Sequence, residues 1–160
     1  AIRWVQHACA GVGAEWGCGR GGAVTVFVVT GPPAAGKSTW VRDHAKPGDI
    51  TIDYDTLAQA LSPGLPSDPA EQPSHIAAVI MASRAAAFDD AVLDAATQCD
   101  VYLVHAMPAR QHMNRYRKYG FEVVTIDPGY DECMRRAAAD RTPRQREQVR
   151  EWYERRGLLV

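Results

Sequence analysis

No run of about 18 consecutive apolar residues occurs in this 160-residue chain, so the sequence offers no transmembrane helix. The basic-then-apolar layout of a secretory signal is also missing. Charge of one sign is scarce overall: 18 Lys/Arg face 19 Asp/Glu, a formal charge of −1 with 46% hydrophobic residues. That is the profile of an ordinary globule, one domain with a core of its own. The four cysteines (Cys9, Cys18, Cys99, Cys133) form no C-x-x-C pair, and His7, Cys9 and Cys18 fit no strong zinc spacing. Internal repeats are absent.

What is present is unevenly spread. Residues 1–23 are dense in glycine, with neither helical nor strand periodicity, and read as a flexible or non-core leader ahead of a domain over 24–160. Only Ile2-Arg-Trp-Val5 has enough apolar surface to dock on that domain. Residues 1–109 carry 6 Lys/Arg against 11 Asp/Glu, and residues 110–160 carry 12 against 8. The C-terminal third is therefore net positive, almost all of it through arginine, which suits bidentate phosphate contacts. Solvated helix faces with i,i+4 ion pairs would use the same residues.

Gly31-Pro32-Pro33-Ala34-Ala35-Gly36-Lys37-Ser38-Thr39 completes the G-x-x-x-x-G-K-[ST] phosphate loop. It follows the β-branched run Val24–Thr30 and opens a helical segment over 37–45, the context that gives the motif its meaning. Glycines let the backbone wrap a polyphosphate, and the helix start presents unpaired N–H groups to the same anion. Lys37 would reach the β- and γ-phosphates, and the Ser38 hydroxyl would help to hold Mg²⁺. The sequence thus calls for a nucleoside triphosphate, ATP with Mg²⁺. With such a site, the cysteines read as reduced cytosolic thiols.

Strands and helices then alternate. Strands are expected at 24–30, 50–53, 100–105 and 121–126. Helices are expected at 37–45, 54–61, 74–98, 108–119, 130–140 and 144–156. The 74–98 helix should bury Ile76, Val79, Ile80, Ser83, Ala87, Ala91 and Leu93, with Ser74 as its N-cap. Residues 62–73 hold four prolines and read as a loop, long enough to be a functional flap. The order predicts an α/β three-layer sandwich, a nucleotide-kinase-like P-loop NTPase with a mostly parallel sheet of four or five strands.

Asp53-Tyr54-Asp55 follows the second strand, on the rim where ligands of open parallel sheets bind. One carboxylate there could order Mg²⁺-bound water, the part given to Asp53, and the other, Asp55, could take a proton from an acceptor hydroxyl. Either could instead cap the next helix. At this point the chain, from about Val24 to Arg156, resembles the P-loop kinases, in particular the small ATP-binding proteins related to phage polynucleotide kinase. The resemblance rests on Gly31–Arg42, the acidic residue after strand two and the arginine-rich stretch after strand four. It implies a cytoplasmic, phage-like kinase in which Asp55 acts on the attacking hydroxyl. The same kinases hold substrate phosphate with an arginine three residues later, where this chain has Ala58. The D-x-D is also similar to that of shikimate- and gluconate-type kinases.

Strand three ends in His105 where the resembled kinases often have an aspartate. Facing the acceptor, bonding near the γ-phosphate and simply closing the strand are all open to it. Arg135, Arg136, Arg141, Arg144 and Arg146 fall around Thr142-Pro143, in a segment rich in arginine that reads as a mobile lid closed by ligand charge. Arg136 and Arg141 match the lid arginines of the resembled group. Arg150, Arg155 and Arg156 read as surface, and Trp152 and Tyr153 as helix packing. The leading expectation is phosphate transfer to a hydroxyl of a nucleoside, nucleotide or polynucleotide end. An accessory NTPase and a nucleotide-binding module with little catalysis are the other classes.

Overall fold

Short β-branched runs bounded by Gly, Pro and Asp form the strands, and the segments between them carry one apolar face each. The computed structural model describes residues 24–93 and 98–158. The leader, with His7, Cys9 and Cys18, lies outside them. In chain order the elements are β1 Val26–Thr30, α1 Lys37–His44, β2 Ile50–Ile52, α2 Tyr54–Leu61, α3 Ser74–Leu93, β3 Val101–Val104, α4 Arg110–Lys118, β4 Glu122–Thr125, α5 Tyr130–Asp140 and α6 Pro143–Glu154. The proline-rich 62–73 loop holds one 3₁₀ turn, Pro69–Glu71, whose N-terminus the Asp68 side chain caps.

Four parallel strands pair in the order β2-β3-β1-β4. The central strands are covered on both faces, which their near-continuous apolar sequences require. Val26 and Val28 of β1 pack with Ile52, Val101, Leu103, Ala91 of α3 and Tyr116 of α4. The alternate residue Val29 packs with Tyr102, Val104 and Val41 of α1. Period-two alternation thus divides the core between two helical layers, giving the three-layer P-loop NTPase-like α/β fold.

The α3 stripe needs correcting. Ile80 and Ala91 are buried, and Ile76, Ser83 and Ala87 partly so, but Val79 is 56% exposed. Arg84 and Phe88 complete the inward stripe in its place. The Leu93 side chain lies outside the described residues. Nor does Ser74 cap the helix: it is the first helical residue, and the Pro73 carbonyl already accepts the N–H groups of Ile76 and Ala77. The expected end of α3 near residue 98 falls beyond Leu93, past residues outside the described ones. The other strand and helix ends fall within about two residues of their sequence positions, and no helix among the described residues is long and apolar enough to cross a membrane.

Because all strands run the same way, their carboxyl ends share one rim, and the phosphate loop leaves β1 at its centre. Gly31 donates its N–H to the Ala106 carbonyl at 3.2 Å, just past β3. It also passes so close to β4 that a Cβ there would stand 2.2 Å from the Ile126 carbonyl oxygen, at a φ of +144°. Gly31→Ala is therefore expected to destabilise the fold by roughly 2–4 kcal/mol, from backbone strain and overpacking together. Urea unfolding measures it, and a loss below about 0.5 kcal/mol would mean that the loop need not pass this close.

Candidate functional site

The loop after Gly31 closes on itself. Ala35 donates to the Pro32 carbonyl at 3.3 Å, Ala34 takes a left-handed φ of 60°, and Gly36, also left-handed at φ 97°, stands at the N-cap of α1 without a side chain to cap it. The first intrahelical bond runs from Trp40 N–H to the Gly36 carbonyl, so the N–H groups of the first turn have no partner within the helix. They and the helix dipole make the loop an anion cradle.

Lys37 donates to the carbonyls of Gly31 at 3.1 Å and Pro32 at 2.7 Å. Desolvation lowers its pKa to about 8, against the fields of Asp53 and Asp55, which favour the ammonium, and with that of Arg141, which opposes it. Ser38 Oγ donates to Asp53 Oδ2 at 2.6 Å. The other oxygen of Asp53 accepts the Asp55 N–H at 3.3 Å and caps α2. Between the two carboxylates, capping therefore falls to Asp53, and that same side chain reaches the phosphate loop.

Asp55 is the second residue of α2, in its first turn, and lines the cleft. Its surface is open to solvent, yet surrounding protein raises its pKa, first by desolvation and then through Asp53, while Arg141 and Lys37 pull the other way. A carboxylate whose pKa is raised holds a transferred proton better.

Across the cleft lie the arginines. Arg136 Nη1 donates to the Ala35 carbonyl at 3.4 Å, and its Nε to Glu132 at 2.6 Å. Arg135 and Arg141 also line the cleft. Glu132 serves both Arg135 and Arg136, which hold its carboxyl down at about 2. Arg144 turns to Asp68 at 3.7 Å. Arg150 and Arg155 pair with glutamates on their own helix, and Arg156 covers the Trp152 ring at 4.1 Å. The cleft holds about 680 Å³, ample for a nucleotide.

The arginine segment is better anchored than its composition suggests. Cys133, Ala137, Val149, Trp152 and Tyr153 are all buried with Ala35 of the phosphate loop in one apolar cluster. A lid held only by ligand charge is thus corrected: α5 and α6 pack on the loop they would cover. The rim at β3 comes from Val104 and Ala106, whereas His105 Nδ1 bonds the Tyr116 hydroxyl of α4 at 2.8 Å.

A model of the AAA domain family matches residues 26–156, most of the chain and all the elements of this cleft. The chain belongs to that family. The match supports a P-loop nucleotide-binding domain and does not single out the phage polynucleotide kinase group; among curated proteins, none matches.

One feature of this AAA domain was missed in sequence. Asp68, 2% exposed, accepts from the Ala70 N–H at 3.0 Å and the Thr142 hydroxyl at 2.8 Å, contacts that lower its pKa. Gln145 Nε2 adds a bond to the Ser67 carbonyl at 3.2 Å. Tyr54 meanwhile donates to Gln72 at 2.7 Å. The 62–73 flap is thereby pinned near its C-terminal end beside Asp55 and at its middle beside Arg141. Asp-Pro at 68–69 and T-x-x-Q at 142–145 are readable cap signatures, but nothing local shows that they meet. Replacing Asp68 by Ala should cost on the order of 1–3 kcal/mol and speed amide exchange in residues 67–72 and 141–146 together; faster exchange in only one would show that the two segments are not clasped.

Lys37 gives a pH test. Its ammonium is present below about pH 8 and is lost as pH rises through that value, whereas a triphosphate favours the charged form. ATP affinity should fall above pH 8, by up to about tenfold per pH unit where binding takes up one proton. Calorimetry near pH 9 in buffers of different ionisation enthalpy reads that uptake, and flat affinity with no uptake would remove Lys37 from the phosphate contacts.

Proposed function

We propose that the domain is an ATP-dependent phosphotransferase acting on a hydroxyl acceptor, of the nucleoside, nucleotide or polynucleotide-end class. The observation that carries this reading is the division of labour in Asp53-Tyr54-Asp55. Asp53 is committed to Ser38 and the α2 cap, which leaves Asp55 as the carboxylate with a raised pKa in the cleft. Proton transfer from a hydroxyl acceptor gives that carboxylate a task that nucleotide binding alone does not require.

The N–H groups of the loop receive the phosphates, and Lys37, Arg136 and Arg141 offset the charge of the moving phosphoryl group. Ser38 Oγ and Asp53 Oδ2 already stand 2.6 Å apart, a hard-oxygen pair of the kind Mg²⁺ prefers, and these residues would hold it. When bound, Mg²⁺ would offset the negative charge of the phosphates. The acceptor oxygen forms a bond to the γ-phosphorus as the bond to the ADP oxygen breaks, and Asp55 takes the hydroxyl proton. The resemblance to the phage polynucleotide kinase group supports the acceptor class, through the position of Asp55.

The test is a transfer screen from γ-labelled ATP to nucleosides, nucleotides, oligonucleotides and sugars, with phosphate release followed in the same reactions. Asp55→Asn should lower transfer about 10²-fold or more with ATP affinity nearly unchanged. Phosphate release that needs no acceptor and ignores this substitution would make the domain an NTPase and Asp55 a bystander.

A further inference from the structure

Next to the cleft, at the carboxyl end of β3, a second polar cluster joins α3 and α4. Arg84 reaches inward from α3 and donates from Nη2 to the Val104 carbonyl at 2.8 Å. Val104 lines the cleft, and the field of Asp53 reaches the guanidinium. Around it stand His105, His112 and Tyr116. The histidine rings lie 5.3 Å apart, and His105 is bonded to Tyr116.

The cluster has donors and positive charge but no acid. Among the described residues, no carboxylate lies within ion-pair distance of Arg84. Arg84 Nε and His112 Nδ1 are buried with no hydrogen-bond partner. Buried polar atoms are nearly always satisfied, and a half-buried cation without a counter-charge is costly. His105 does not supply that charge: desolvation, Arg84 and His112 hold its pKa at about 4, so it is neutral. A site with these properties suits an anion, and the planar fork of arginine suits a phosphate or carboxylate.

We propose that Arg84, with His112 beside it, holds an anionic group of the acceptor, a phosphate or a carboxylate, next to the phosphate-transfer cleft. The proposal rests on the phosphotransferase reading and names the class of acceptor.

The experiment uses the full chain loaded with Mg²⁺ and a non-hydrolysable ATP analogue, so that the phosphate loop is filled. Calorimetry then compares adenosine 3′-monophosphate with adenosine, and gluconate with glucose. In at least one pair the anionic member should bind about tenfold or more tighter, the value of a charge-assisted contact, and the pair that responds separates phosphate from carboxylate. Arg84→Gln should erase that preference while analogue affinity stays within about twofold. If the variant does not fold, Arg84→Lys keeps the charge without the fork, and the preference should shrink. Equal or no binding of all four probes to the loaded protein, or a preference undiminished in the variant that folds, overturns the proposal. Failure of the analogue itself to bind would instead sink the phosphotransferase reading.

Discussion

The passage of Gly31 between the ends of β3 and β4 is the constraint on which the site depends. Its N–H is tied to Ala106, and the space where a side chain would sit belongs to the Ile126 carbonyl. The loop is thus gripped from both neighbouring strands before it turns. The left-handed residues Ala34 and Gly36 then aim the start of α1 back over the rim. With that grip, the Ser38 bond to Asp53 holds the N–H groups of α1 beside the end of β2.

Charge organises what the grip positions. Lys37, Arg136 and Arg141 face Asp53 and Asp55 around one cleft, and each side moderates the other. The carboxylates favour the Lys37 ammonium against desolvation, while Lys37 and Arg141 restrain the rise of Asp55. A triphosphate entering this balance adds negative charge beside both carboxylates. That favours the ammonium and the protonated form of Asp55 together, which is the direction a base needs when it takes the proton of an acceptor.

The phosphate loop was legible because its chemistry is written in consecutive residues. Strand positions were legible because burial on two faces demands runs such as Val101–Val104. The errors have a common origin in contacts between segments distant in sequence. Val79 satisfied the helical period as well as Arg84 did, and only the placement of β3 shows that α3 turns Arg84 inward to the Val104 carbonyl. Likewise, counting arginines around Thr142 suggested a loose lid, because the residues that anchor it are scattered at helical spacing, Cys133, Ala137 and Val149 being small or medium-sized and Trp152 and Tyr153 lying well past the arginines.

The flap shows how the two halves of the site are joined. Its prolines limit the backbone freedom that ordering must remove, yet among the described residues no buried apolar cluster includes it. The hold comes from polar bonds along it, Gln59 to Gly64 and Leu65, Thr142 to Asp68 and Tyr54 to Gln72. Such bonds contribute only about 1 kcal/mol each in water but are specific in direction. They tie the helix that carries Asp55 to the joint that carries Arg141, with Ser67 and Pro69 on the cleft wall between them. The cleft wall at Ser67 and Pro69 is thereby joined, through one short stretch of chain, to both the carboxylate and the arginine.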